Sequence, residues 1–152
     1  MRRSYSTSVD PDVKYSPAKF EEEVAIYLAD PDGWKSRGVT FFAVKKNPSI
    51  HIRLVTPSTM ATLHCQDSGL SCAEINGRNV YLNSERWKNG SSKSKLSLSD
   101  YRQYVITHEI GHILGFEHVH CPGNGQPAPL MMQQTLGIGN CKPNTKLTKH
   151  DG

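Results

Sequence analysis

The stretch from His108 to His118 reads H-E-x-x-H-x-x-G-x-x-H. On a helix, His108 and His112 stand one turn apart on one face, so two imidazoles can bind one metal ion. Glu109 lies beside that face, placed to hold a water against the metal as general base. Gly115 readily takes the left-handed conformation that ends helices, and the turn it permits brings His118 back as a third ligand. Three protein ligands leave a fourth zinc position open, which is the catalytic arrangement and not the closed structural one. His120 is the rival third ligand, but His118 has the spacing that Gly115 sets. The chemistry expected is hydrolysis of an amide around one catalytic Zn2+.

A helix must carry these residues. Ser97 or Ser99 offers an N-cap, and the helix is predicted from about Asp100 to Leu114. Ile106, Ile110, Ile113 and Leu114 cluster on the side away from the two histidines, so one side is expected in the core and the other in a cleft. Gly111 in mid-helix costs about 1 kcal/mol against alanine, which close backbone approach beneath the site would justify.

Upstream, residues 1–15 lack periodicity and read as a flexible N-terminal arm; residues 16–152 read as a single domain. Ser16-Pro17 opens a helix with the stripe Phe20, Val24, Tyr27, Leu28, ending by Ala29 before Asp30-Pro31-Asp32-Gly33. Strands are expected at Thr40 to Val44 and Ile50 to Val55, and a short helical turn at 57–63. Asn76-Gly77 signals a hairpin between Ala73-Glu74-Ile75 and Asn79 to Asn83. Residues 88–95 read as a surface loop, and nothing after Gln133 suggests more than a short turn. His51, His64 and His150 read as surface histidines.

The chain has 152 residues, 36% of them hydrophobic, with a net charge of +4. That suits one soluble domain, and no apolar run approaches the ~20 residues of a membrane span. The lysines and arginines are too scattered, without interleaved aromatics, for a nucleic-acid module. A monomer is expected. Cys65, Cys72, Cys121 and Cys141 allow three pairings, of which the local ones, Cys65–Cys72 and Cys121–Cys141, are expected. Disulfides imply an oxidising compartment, hence a secreted or cell-envelope protein, although no signal segment is present in this chain.

The eleven-residue stretch resembles the zinc signature of the metzincin metalloendopeptidases. That resemblance implies a "Met-turn" downstream, and in Pro129-Leu130-Met131-Met132-Gln133 the matching methionine is Met131. Ile52 to Pro57, Tyr104 to Glu109, and Cys121-Pro122-Gly123 with Pro127 to Met131 resemble a family of uncharacterised metzincin-like domains in secreted or envelope-anchored actinobacterial proteins. The likeness runs from about Phe20 to Asn144. It implies an α+β metzincin-like fold: a small twisted mixed sheet, a first long helix, an active-site helix and a minimal C-terminal subdomain. It also implies that an edge strand, Val80 to Asn83 or its neighbour, binds extended peptide by main-chain hydrogen bonds. Some metzincins place a tyrosine two residues after the methionine; here that position is Gln133, whose amide offers an oxyanion or substrate contact. The expected activity is zinc endopeptidase cleavage of a peptide or protein substrate. The alternatives are a zinc amidase acting on cell-wall peptides and a non-catalytic zinc-stabilised binding domain.

Overall fold

The computed structural model describes residues 1–63 and 67–152. Five strands form one sheet: β1 (Arg2–Val9), β2 (Thr40–Ala43), β3 (Ile50–Val55), β4 (Cys72–Ala73) and β5 (Asn79–Asn83). Their spatial order is β2-β1-β3-β5-β4. The first four run parallel and β4 lies antiparallel to β5 at one edge. Among the described residues four α-helices accompany them: α1 (Pro17–Leu28), α2 (Pro57–Met60), α3 (Ser84–Asn89) and α4 (Leu98–Ile113).

The strands alternate. Tyr5, Ile50, Ile52, Leu54, Val80 and Leu82 are buried on the face under α1 and α4, where Phe20, Val24, Trp87, Tyr101, Tyr104, Ile106 and Ile110 meet them. The α1 helix packs on β1 and against α4, and α4 covers β4 and β5. The opposite face is polar. There Ser8 Oγ and His51 Nε2 share a 3.2 Å hydrogen bond, and Arg53 pairs with Asp10 at 3.0 Å.

Three expectations need correction. Residues 2–9 are no frayed arm but an inner strand, hydrogen-bonded to β2 on one side and β3 on the other. Its inward set, Tyr5, Thr7 and Val9, alternates with serines, so few apolar residues advertise it. Residues 79–83 are interior, because β5 pairs with both β3 and β4; the edge is their neighbour, Cys72–Ala73. Residues 88–95 are not simply a surface loop: the end of α3 and a 3-10 turn at Ser92–Ser94 lie there, with Ser91 and Ser94 buried. The C-terminal part is as small as expected, with the 3-10 turn Gln134–Leu136 its one named element. His64 and the expected Cys65–Cys72 bridge lie outside the described residues.

Candidate metal centre

The α4 helix starts at Ser97, whose side chain accepts from Asp100 N–H. Its buried residues face every direction, so the histidine side is nearly as enclosed as the core side. Trp34 Nε1 donates to Thr107 O at 2.8 Å, and the Trp34 ring stacks on Phe116 at 5.1 Å. After Leu114 the chain turns at Gly115, with φ of 101°, a value that disfavours a side chain. A Cβ there would also stand 2.6 Å from Asn76 Oδ1, so the Asn76 side chain would have to move. Asn76 N–H donates to His112 O at 3.0 Å, which docks the β4–β5 hairpin onto the end of the histidine helix. Beyond the turn, Val119 N–H donates to Met131 O at 3.1 Å and fixes the segment carrying His118.

His108, His112 and His118 converge, with one ligand nitrogen of each within 4.8 Å of the others. His120, the rival, is exposed and outside this cluster. His108 Nδ1 lies 2.6 Å from Leu130 O and His112 Nδ1 2.7 Å from Phe116 O. A carbonyl can only accept, so each Nδ1 carries the proton and each Nε2 keeps its lone pair. His112 Nε2 and His118 Nε2 are 3.1 Å apart. Two nitrogens at ~2.1 Å from one tetrahedral zinc would stand about 3.4 Å apart. Burial, then the neighbouring His112, lowers the His108 pKa to about 3; burial also lowers those of His112 and His118. All three imidazoles are therefore held in the neutral form that binds metal.

Glu109 is buried, and its Oε2 has no hydrogen-bond partner among the described residues. Burial pushes its carboxyl up to about 8. An unpaired buried carboxylate is costly, and a cation beside it removes that cost. Lone pairs aimed at one point next to an orphaned carboxyl suit a divalent cation with imidazole ligands.

The site opens into a cleft of about 420 Å³. Ala73 and Ile75 of the β4–β5 hairpin line it together with Gln133, Thr135 and Leu136 and with His108, Glu109, His112 and His118. Met131 is wholly buried with its Sδ against Gly111 of α4, in a turn closed by Met132 N–H to Pro129 O at 3.1 Å. Cys121 and Cys141 form a disulfide that encloses this turn.

Sequence reasoning missed two residues that brace the turn. Tyr104 OH donates to Met132 O and accepts from Gln134 N–H, both at 2.9 Å. Its place one helical turn before His108 was a legible signal. Asp151 binds the turn from the other side, and no local pattern marks it.

Residues 4–150 match the family described as "Protein of unknown function (DUF3152)". The chain belongs to this family. No curated protein sequence matches this DUF3152 chain. Among solved structures it is similar to archaemetzincin from Archaeoglobus fulgidus complexed with malonate, at 17% identity and a TM-score of 0.54, over 99% of this chain and 97% of that one. Myroilysin matches at 18% identity and a TM-score of 0.45, over 82% of this chain and 46% of that one. The first likeness shows a metzincin-like fold for the DUF3152 chain: α+β, with a five-stranded, mostly parallel sheet.

Proposed function

We propose that this protein is a zinc-dependent endopeptidase in which His108, His112 and His118 hold one zinc ion and Glu109 is the general base. The observation that carries this reading is the orphaned Oε2 of Glu109 beside three converging imidazoles that line an open cleft. Bound there, zinc supplies Lewis-acid chemistry, acidifying water and polarising a carbonyl. The Leu130 and Phe116 carbonyls hold His108 and His112 with Nε2 facing inward. Glu109 takes a proton from water as its oxygen adds to the scissile carbonyl carbon. It then passes that proton to the leaving amine as the C–N bond breaks. Gln133, which lines the cleft, donates its amide to the oxyanion, and Met131 acts as the Met-turn methionine beneath the ligands. Extended peptide lies along Cys72–Ala73.

The same reading makes the described chain one domain that includes β1, working as a monomer. Its setting is the cell envelope or the exterior of the cell, which the Cys121–Cys141 disulfide favours. No helix among the described residues is long and apolar enough to cross a membrane.

The test is cleavage of a proteome-derived peptide library by zinc-loaded protein beside Glu109→Ala, read by mass spectrometry. Cuts made only by the wild type support a peptidase. A zinc-loaded wild type that cuts nothing overturns it and turns the search to cell-wall amides and binding partners.

A further inference from the structure

Asp151 is fully buried, yet its carboxylate meets no cation among the described residues. Its Oδ1 accepts from Met131 N–H at 2.8 Å. Its Oδ2 accepts from Leu130 N–H at 3.0 Å, and from Thr148 N–H and hydroxyl at 2.8 and 3.0 Å. The Met131 N–H and the Leu130 carbonyl belong to one peptide unit. That carbonyl is the oxygen 2.6 Å from His108 Nδ1. Carboxylate, peptide and imidazole thus stand in series.

A trans peptide points its N–H and C=O to opposite sides, so the charge sits on one side of the unit and the ring on the other. A negative charge at the N–H end draws electron density toward the carbonyl oxygen, and hydrogen bonds in such a chain strengthen one another. The surroundings are dry, so little solvent screens the effect. Metal-binding histidines commonly meet a carboxylate or a carbonyl directly. Here the carboxylate reaches the ring through a carbonyl. From outside, the exposed Arg37 fixes the same segment, donating to Thr148 O at 2.8 Å and Asp151 O at 2.7 Å.

We propose that Asp151 is a positioning residue for the metal centre: through the Leu130–Met131 peptide it orients His108 and strengthens Nε2 as a donor to a divalent ion. This rests on the metal reading of the three histidines. It does not depend on peptide cleavage.

Two readouts test it: zinc affinity by competition with a chromogenic chelator, and the His108 Nδ1–H proton resonance in the zinc-loaded protein. Asp151→Asn, which removes the charge and keeps the shape, is expected to weaken zinc binding by about 10-fold or more and to move that resonance upfield. A folded Asp151→Asn protein with both readouts unchanged overturns the proposal. If this variant fails to fold, Arg37→Gln carries the test, since it loosens the segment from the surface. A several-fold loss of zinc affinity with the same upfield movement supports the relay, and no change overturns it. A wild type without zinc affinity overturns the metal reading and the relay together. A wild type that binds zinc and cleaves nothing, while Asp151→Asn still weakens binding, sinks only the peptidase.

Discussion

Met131 Sδ fills the space that a Cβ on Gly111 would take. An alanine there would overlap the sulfur and stand 2.9 Å from the Trp34 ring. The glycine in mid-helix is therefore a packing requirement of the turn beneath it. Gly111→Ala gains about 1 kcal/mol of helix propensity but incurs about 1–3 kcal/mol of overpacking. Net destabilisation is expected in urea denaturation. Combined with Met131→Ala, the change should cost less than the sum of the two, with a coupling of at least about 0.5 kcal/mol. Additive losses would show that the contact is not the reason for the glycine.

The pH dependence of metal-free stability reports on Glu109. Its carboxyl is raised to about 8 in the folded protein, above the unfolded value near 4.5. Between those values the folded state binds more protons than the unfolded one, so this group makes stability fall as pH rises from about 4.5 to 8. In chelator-treated protein, Glu109→Gln should remove that loss, and its advantage over the wild type should grow with pH across the window. Parallel stability curves for the two proteins would refute the assignment.

The third ligand can be decided by zinc titration. His118→Ala should lose most of the zinc affinity, because only two imidazoles remain. His120→Ala should bind as the wild type does, since His120 lies outside the cluster. Reversed results would move the third ligand to His120.

The disulfide should stabilise the turn region. The cysteines are 20 residues apart, and closing a loop of that size contributes about 3 kcal/mol in the chain-entropy picture. Replacing Cys121 and Cys141 by serine should lower stability in denaturation by roughly that amount. Equal stability for mutant and wild type would show that the packing alone holds the turn.

The parts legible in the sequence are those set by short spacing. The clustering of His108 and His112, the Ser97 cap, the Gly115 stop and the stripe on α1 depend on residues three or four apart, where helical geometry speaks directly. What escaped depends on distant partners. Nothing near Asp151 says that it will bind a turn 20 residues earlier. Nothing near Arg2–Val9 says that residues 40–43 and 50–54 will flank it. The hairpin partner of Asn79–Asn83 was legible from Asn76-Gly77, but its bounds shifted from Ala73–Ile75 to Cys72–Ala73, because two residues are too few to carry a period.

The inner place of β1 bears on how the chain is made. This strand leaves the ribosome before either partner exists, and it waits with both edges open until residue 55 has followed. Parallel pairing at such separations is slow, and an unpaired strand invites association with other chains. Arg2, Arg3, Ser4, Ser6 and Ser8 make this segment polar, a composition that disfavours association through an open strand. The polarity that hid the strand from a pattern search thus acts as its safeguard during synthesis.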